Sequence, residues 1–419
     1  MRWLLIVFIN FNLLSQTWIE QTQPPPVQPL NSVSAVSRNV VWATGDNGVI
    51  IYTSNSGANW VLRTSGLIGN NTVYCIKGLD SLTALCAVNS LAAAVIIRTS
   101  DAGLNWQPVY IQQNGFIDDI EMVSPINGFA YGNPVGGRWT LLRTTNAGLT
   151  FDSAGMYLPR AGSENGWPNA MAAAGTVIWF GTNNMRIYRS TNSGANWNFN
   201  SIAGQNIYGI AFNGLTGFAA GDLFYSTTDG GNTWTQVNGL PGSGVFKTIA
   251  NTAQYFWYGR GTQIFYSSNN GTNFSFQYTS PASGVYQQLC FVLSANDNIL
   301  TTIRGWGVTN NGAISYYTDT EVGVEPVNSK MPVSFILHQN YPNPFNPETK
   351  IIYELQFANY VKLVIYDIHG KEVKTLANSF QRAGKYSVNF RVSDLASGIY
   401  FYKLKSGNFS AVKKMILVK

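Results

Sequence analysis

Three acidic residues lie close together in a region of the chain that is otherwise poor in carboxylates. Asp118, Asp119 and Glu121 fall within four positions, and only three Glu occur among residues 1–320. Hydrolysis of a glycosidic bond needs two carboxyl groups flanking the bond, with a Tyr nucleophile as a known exception. Asp118 and Asp119 are therefore the first candidates for chemistry or for binding.

A long insertion after this acidic cluster supplies further candidate ligand-binding residues. Arg138, Arg160, Glu164 and Trp167 lie in it, and loops carry binding residues disproportionately often. Two interpretations stay open. Either these side chains and the two Asp form a ligand site, or the two Asp only bond to backbone N–H groups at the start of a strand.

Other common catalytic and metal-binding sets are not found in this sequence. Both His, His338 and His369, lie near the C-terminus, so no Ser–His–Asp set is available in the first 320 residues. The three Cys have no metal-ligand spacing. Two of them, Cys75 and Cys86, flank a predicted hairpin and either face each other or are separately buried thiols. We predict no catalytic residue, no metal site and no cofactor, while the enzyme question stays open.

An eight-residue pattern recurs six times along the chain: Ser/Thr, any, Asp/Asn, any, Gly, any, any, aromatic. Its aromatic positions are 46, 45, 46, 37 and 40 residues apart, which indicates a repeat architecture. The Asp or Asn, the Gly and the aromatic residue of the six copies are Asn55, Gly57, Trp60; Asp101, Gly103, Trp106; Asn146, Gly148, Phe151; Asn192, Gly194, Trp197; Asp229, Gly231, Trp234; and Asn269, Gly271, Phe274.

The residue types of this pattern predict a turn between two strands. The Asp or Asn side chain bonds to nearby backbone N–H groups, and Gly adopts a conformation that a Cβ would penalise. The aromatic residue then buries its ring between neighbouring sheets. Strand-like runs such as Val41–Gly45 and Val49–Tyr52 precede the turn. Four short strands in about 40 residues are typical of one blade of a β-propeller.

The repeated pattern resembles the Asp-box, or bacterial neuraminidase repeat, of sialidase-like and sortilin-like propellers. The phrase Trp42–Gly48 before the first copy resembles the photosystem II assembly-factor-like propellers, and Gly132–Arg138 is similar to a hairpin of related secreted members. The resemblance implies the fold more than the function, because Asp-boxes are structural in those families. No Arg-Ile-Pro element of the sialidases precedes the first copy.

The repeats predict seven blades in a closed ring. Six copies of the pattern give six blades, and residues 284–318 supply three more strands without a fourth. Residues 17–22 read like residues 59–64, and Trp18 precedes Trp60 by 42 residues, in step with the other intervals. We therefore predict that the N-terminal strand of the mature chain completes the seventh blade and removes two open sheet edges.

Composition and charge distribution indicate an exported β-rich protein. Only 11% of residues are charged and 14% are aromatic. Residues 326–419 hold 13 Lys and Arg against 5 Asp and Glu, so the net charge of +6 belongs to the C-terminal part, where the cations punctuate strands. Nucleic-acid binding is not expected from that arrangement.

Residues 1–16 resemble a signal peptide cleaved between about residues 14 and 17, and no other apolar run is long enough to span a membrane.

The last 85 residues predict a small Ig-like sandwich. A segment with three Pro and three Asn, Asn340–Pro347, is followed by runs of strand-like residues separated by turns. This region resembles the C-terminal sorting domain of type IX secretion cargo from the Bacteroidetes–Chlorobi–Ignavibacteria group. The residues that carry the resemblance are Asn343, Pro344, Phe345, Gly370, Gly398, Tyr400, Lys413 and Lys414. A stabilising module of the related FlgD-like type is the alternative.

These observations predict four segments: a signal peptide at 1–16, an all-β seven-bladed propeller at 17–320, a linker at 321–334 and an Ig-like sorting domain at 335–419. The resemblance implies export through the periplasm by the type IX machinery to the outer cell surface or the medium. Two functions stay open for the expected monomer. One is a non-catalytic propeller that binds a protein or a glycan, and the other is a polysaccharide-active, sialidase-like hydrolase.

Overall fold

The computed structural model describes residues 17–64, 66–295, 301–321, 335–356, 359–381, 384–392, 395–407 and 409–418. These residues form 34 strands and one short 3-10 turn, Asp46–Gly48. The expected signal peptide and residues 322–334 of the expected linker lie outside the described residues. None of the described helices is long and apolar enough to cross a membrane.

The strands of the N-terminal region form seven antiparallel sheets within the described part of residues 17–321. β1 (Thr17–Gln21) opens the chain and belongs to the last sheet. The first three sheets contain β2 (Leu30–Ala35), β3 (Val41–Gly45), β4 (Ile50–Thr53) and β5 (Val61–Leu62); then β6 (Val73–Gly78), β7 (Ala84–Asn89), β8 (Ala93–Thr99) and β9 (Gln107–Gln113); then β10 (Ile117–Met122), β11 (Gly128–Val135) and β12 (Arg138–Thr144).

The next four sheets follow in chain order. They contain β13 (Gly166–Ala174), β14 (Val177–Thr182), β15 (Arg186–Ser190) and β16 (Asn198–Ser201); then β17 (Ile207–Asn213), β18 (Thr216–Gly221), β19 (Phe224–Thr227) and β20 (Thr235–Gln236); then β21 (Phe246–Thr252), β22 (Tyr255–Arg260), β23 (Gln263–Ser267) and β24 (Ser275–Thr279); and finally β25 (Tyr286–Ala295), β26 (Thr301–Thr309), β27 (Ile314–Glu321) and β1.

The first strand of each sheet lies at the centre of this region. We call these the inner strands; they are β2, β6, β10, β13, β17, β21 and β25. Each contacts the inner strand of the following sheet, and β25 contacts β2. The inner strands therefore form a closed circle, and the sheets radiate from it.

The N-terminal strand completes the last of the seven sheets. β1 pairs antiparallel with β27, so that Trp18 lies opposite Tyr317. The Trp18 ring stacks on Tyr278 of the preceding sheet at 5.5 Å, and its Nε1–H donates to Gln277 Oε1 at 3.0 Å. This register pairs Thr17–Gln21 with the last strand of the region, as the spacing of Trp18 predicts.

The aromatic residues of the repeated pattern fill the spaces between the sheets. Among the described residues, seven apolar clusters separate neighbouring sheets, and each contains one such ring, fully or partly buried. The rings are Trp18, Trp60, Trp106, Phe151, Trp197, Trp234 and Phe274. Full burial of a large apolar side chain contributes about 1.5–3 kcal/mol, so the rings are a main source of cohesion between sheets.

The six repeated turns, which we call box turns, share one set of hydrogen bonds. The first Ser or Thr hydroxyl donates to the Asn or Asp Oδ1 two residues on, at 2.8–3.0 Å. The same hydroxyl accepts from the Gly N–H at 2.9–3.0 Å. The six Gly residues have φ between +75° and +85°, a region that L side chains rarely adopt.

The third sheet lacks the fourth strand that the repeat predicts. After the aromatic residue Phe151, only two isolated bridges pair the chain with β12, Arg143 with Asp152 and Arg138 with Pro159. The Asp152 side chain accepts from the Ala154 N–H at 2.8 Å and turns the chain away. The long insertion therefore replaces an outer strand in this sheet.

The two nearby cysteines do not face each other. The β6–β7 register places Cys75 opposite Ala87 and Cys86 opposite Ile76. Because the offset is one residue, the two thiols point to opposite faces of the sheet and join different apolar clusters. Both are buried free thiols, and burial raises the pKa of each.

The C-terminal region contains two sheets that pack on one apolar core. One sheet has β28 (Ile336–Leu337), β29 (Glu348–Leu355) and β32 (Gly384–Arg391). The other has β30 (Asn359–Tyr366), β31 (Glu372–Gln381), β33 (Gly398–Ser406) and β34 (Phe409–Leu417). Buried side chains of both sheets, including Tyr353 and Tyr402, belong to the same cluster.

The Pro-rich segment lies along the edge of β34. The Phe345 N–H donates to the Ile416 carbonyl at 2.9 Å, and the Phe345 carbonyl accepts from the Val418 N–H at 3.0 Å. The Asn343 side chain accepts from the Ile416 N–H at 2.8 Å, and the Phe345 ring is 2% exposed. Main-chain groups at this end of an edge strand are thereby covered.

The other predicted sorting residues lie at three places in the same region. Gly370 has φ +77° in the turn between β30 and β31. Gly398 opens β33, two residues before the buried Tyr400. Lys413 and Lys414 are both exposed on β34.

Candidate functional site

Each inner strand carries a bulge at its beginning. The pairing with the second strand shifts register after the first residue in all seven sheets of the described region. In six sheets the bulge adds one residue. In the fourth sheet it adds three, because Gly166 to Met171 lies opposite Thr182 to Phe180. Bulges redirect side chains and are frequent at functional sites.

The bulged residues lie at the same end of the circle of inner strands. They combine aromatic rings, amides, one cation and one acid. We call them the mouth residues; they are Asn31, Tyr74, Asp118, Trp167, Tyr208, Lys247 and Gln287. All except Asp118 are partly exposed, so this end of the circle presents mainly aromatic and amide groups to solvent.

The longer bulge of the fourth sheet reaches across the opening. Asn169, with φ +62°, donates from Nδ2 to the Asn31 carbonyl at 3.0 Å. This bond joins the fourth sheet to the first, which do not neighbour each other in the circle. The bulge therefore spans the end of the circle where the mouth residues lie, and we call the surface that these residues present to solvent the cup.

A cluster of two rings and one lysine occupies one side of the cup. The Trp167 and Tyr208 rings meet edge to face, with centroids 4.9 Å apart. Lys247 Nζ lies 4.2 Å from the Tyr208 centroid and 5.1 Å from the Trp167 centroid, within cation–π range. Burial lowers the pKa of Lys247 to about 8.

Asn206 and Asp222 hold this cluster in place. The Trp167 Nε1–H donates to Asn206 Oδ1 at 3.0 Å. Asp222 Oδ2 accepts from the Asn206 N–H and Nδ2–H, each at 2.9 Å, and Asp222 Oδ1 accepts from the Tyr208 hydroxyl at 3.3 Å. Burial and the Asp222 carboxylate raise the pKa of Tyr208 to about 12, so this hydroxyl stays protonated.

In several sheets the side chain of the residue at the end of the bulge bonds to the backbone of the neighbouring inner strand. Ser32 Oγ accepts from the Ile76 N–H at 3.1 Å, and Thr248 Oγ1 from the Leu289 N–H at 3.2 Å. Asp119 has the equivalent position, and its Oδ2 accepts from the Met171 N–H at 3.2 Å. Asp119 thus bonds to backbone as one of the two sequence interpretations states. Burial, and next the charge of Glu121, raise the pKa of Asp119 to about 7.

Asp118 is a mouth residue that the fourth-sheet bulge covers. Its side chain is 0% exposed, and a Cβ on Gly166 would lie 2.4 Å from its Oδ2. Neither carboxyl oxygen has a hydrogen-bond partner among the described residues. Burial, reinforced by the charge of Asp119, raises the pKa of Asp118 well above its usual range.

The remaining candidates from the long insertion are dispersed. Glu164 is 0% exposed and accepts from Arg186 Nη1 at 2.8 Å and from the Tyr188 hydroxyl at 2.7 Å. The sequence placed this carboxylate on an exposed loop, but these two partners on β15 draw it into the interior. Arg160 donates from Nε to the Glu164 carbonyl at 3.0 Å, and Arg138 is exposed at the start of β12.

The structure therefore brings together Asp118, Asp119 and Trp167 but not the other three candidates. It adds Tyr208 and Lys247, which sequence reasoning missed. A signal for them is present: each follows an apolar residue that is buried at the start of an inner strand, as Asp118 follows Ile117. Alignment of the repeats on their inner strands would have shown this position. Among the described residues, no group of three acidic, His or Cys side chains is placed to hold a metal.

The C-terminal residues match a known family. Residues 339–419 match the family described as "Secretion system C-terminal sorting domain". The sequence as a whole matches no curated protein. Several solved propeller structures have a similar fold. The structure titled "YCF48 bound to D1 peptide" is 13% identical with a TM-score of 0.55, and the match covers 72% of this chain and 96% of that chain.

Two further structures agree with this likeness. YCF48 from Cyanidioschyzon merolae is 14% identical, with a TM-score of 0.52 and coverage of 72% and 98%. The WD40 β-propeller domain of Doa1 is 10% identical, with a TM-score of 0.52 and coverage of 73% and 97%. Identities this low show the fold alone.

This chain is a β-propeller followed by a type IX secretion sorting domain. The sorting domain implies export, so the protein reaches the cell surface or is secreted. Both conclusions agree with the resemblances found in the sequence.

Proposed function

We propose that this exported propeller binds a protein or a glycan through the mouth residues and has no catalytic role. The observation that carries the proposal is the composition of the cup. Its accessible side chains are aromatic rings, amides and one lysine, a mixture typical of binding sites with apolar faces and a few placed polar groups.

A polysaccharide-active hydrolase is the weaker alternative. It would need two carboxyl groups about 5–10 Å apart on either side of an accessible bond. Asp118 is enclosed beneath Gly166, Asp119 is bonded to backbone, and Glu164 is bonded to Arg186 and Tyr188. These three candidate acids are therefore poorly placed for such chemistry.

We propose further that the seven sheets are the seven blades of one ring, closed by β1. The contacts of β25 with β2 and the β1–β27 pairing support this. The proposed segments are a signal peptide at 1–16, the propeller at 17–320, a linker at 321–334 and an Ig-like sandwich at 335–419. The shared core of the two C-terminal sheets supports the sandwich.

The proposed function is tested by binding measurements on arrays of glycans and peptides. The full mature chain is compared with the Trp167→Ala and Tyr208→Ala variants, and with Phe199→Ala as a control on the outer strand β16. The proposal expects at least one class of probe to bind, with binding reduced by both mouth substitutions but not by the control. Binding that all three variants retain would contradict it.

A further inference from the structure

Lys247 faces aromatic rings and forms no ion pair with a carboxylate among the described residues. Its ammonium group faces the Tyr208 and Trp167 rings, and within the described residues no carboxylate forms an ion pair with it. Rings attract a cation more weakly than a carboxylate does. The lysine is therefore held partly out of water without a partner of opposite charge.

The nearby acid is engaged elsewhere. Asp222 accepts three hydrogen bonds, two from Asn206 and one from the Tyr208 hydroxyl. These bonds occupy the Asp222 carboxylate and hold Asn206 and Tyr208 in place beside Lys247. The Lys247 ammonium group therefore remains available to an anionic ligand, as is expected where the ligand supplies the negative charge.

The surroundings of Lys247 suit a sugar better than a simple anion. Trp167 and Tyr208 are large flat side chains that are partly exposed, and aromatic rings of this kind pack against the apolar side of a sugar ring. Gln287 and Asn31 add amide donors and acceptors on the neighbouring bulges, which match sugar hydroxyls.

We propose that the cup binds an acidic polysaccharide, with the carboxylate of a uronic acid unit on Lys247 and the sugar ring against Trp167 and Tyr208. The inference rests on the proposed binding function and specifies its ligand class.

The test is calorimetric titration of the full mature chain with three probes: hexagalacturonate, its fully methyl-esterified form, and penta-alanine with a free C-terminal carboxylate. Lys247→Met removes the charge and keeps the stem, and Lys247→Arg retains the charge. Lys405→Met, an exposed residue of β33, is the matched control. Thermal melts establish that each variant is folded.

The proposal expects hexagalacturonate to bind and its methyl ester to bind at least about tenfold more weakly, the loss typical of one hydrogen bond to a charged group. Lys247→Met should lose the same factor, while Lys247→Arg and Lys405→Met should not. Equal affinity for acid and ester would overturn the inference. If the acid and the ester bound equally and both lost binding in the Trp167→Ala variant, the proposal that the mouth residues bind a ligand would survive.

Absence of hexagalacturonate binding to a folded wild-type chain would also overturn the inference. The peptide probe then shows what remains. If the peptide carboxylate binds and its binding depends on Lys247, the anion comes from a protein, so the binding function is kept and the glycan is excluded.

Discussion

Each box turn is held by local hydrogen bonds to one side chain. That side chain is a neutral amide in some copies and a carboxylate in others. Four turns use Asn and two use Asp at the same position. Asp229 accepts from the Thr233 N–H at 2.9 Å and from the Thr233 hydroxyl at 2.7 Å. These bonds favour the ionised form, and the backbone bond is the main cause that lowers the pKa of Asp229 to about 2.

This difference predicts an acid-sensitive stability contribution from Asp229. Because its folded pKa lies below the unfolded value of about 3.9, the contribution is present above pH 4 and is lost as the pH falls toward 2. Asp229→Asn should keep the neutral-pH stability, since Asn serves in four other turns, and should flatten stability between pH 4 and 2. Urea unfolding across this range is the measurement. Asn192→Asp is the reciprocal control and should gain the slope; parallel curves for all three proteins would refute the assignment.

The glycines of the box turns combine a left-handed backbone with close neighbours. At Gly231 φ is +82° and a Cβ would lie 2.6 Å from Trp179 Nε1, whereas at Gly162 φ is +63° and the space is open. Gly231→Ala should therefore cost about 1–3 kcal/mol, clearly more than Gly162→Ala, which adds backbone strain alone. Chemical denaturation of both variants measures this. Equal losses would show that the close contact with Trp179 has no energetic weight.

Among the elements, β1 is short but completes both the last sheet and the last interface between sheets. Its five residues complete the last sheet, and Trp18 fills the cluster between the sixth and seventh sheets. A ring of sheets is stable only if its last interface is as well packed as the others, so a short strand determines whether two sheet edges are exposed.

Substitution of Trp18 should open this closure. Loss of a buried Trp side chain costs about 3–5 kcal/mol, so Trp18→Ala should lower the melting temperature markedly. Ile19→Ala is the matched control, because Ile19 is 48% exposed on the same strand. A chain lacking residues 17–22 should regain stability when a peptide of that sequence is added. Similar melting of both single variants would contradict the closure by β1.

Elements held by local bonds were predictable from the sequence, and elements held by distant contacts were not. The box turns depend on side chains two to four residues apart, so their pattern is visible in the chain. Trp18 was found because its spacing repeats that of the other rings. By contrast, Glu164 is buried by partners 22 and 24 residues later.

The cup escaped sequence reasoning for the same physical reason. Trp167, Tyr208 and Lys247 come from three successive repeats and meet only once the inner strands form a circle. The extra residues of the fourth-sheet bulge, which cover Asp118, have no local signature either. The sequence indicated that the acidic cluster could lie at the start of a strand but carried no information about what lies over it.

At the scale of the whole molecule, the chain combines a propeller, for which we propose ligand binding, with a sorting module. The apolar clusters of the propeller and of the C-terminal sheets contain no residue in common. Separate cores favour independent folding. Export then depends on the C-terminal module, whereas the proposed ligand binding depends on the circle of inner strands.

Deletion of residues 335–419 should therefore leave a folded propeller in the periplasm. Separate cores predict that the melting transition of the propeller survives the truncation. Cell fractionation and protease shaving of intact cells compare the truncated and full-length proteins, with the transition as a folding control. Equal arrival of both forms at the surface would mean that the C-terminal module does not direct export.

The central claim is that ligand binds at the mouth residues, and hydrogen–deuterium exchange of the full mature chain tests it most directly. Exchange is compared with and without the tightest-binding probe of the glycan and peptide arrays. The account predicts slower exchange in the bulge segments around Trp167, Tyr208 and Lys247, with no change in the box turns. Protection confined to the box turns, or to the C-terminal sheets, would contradict it.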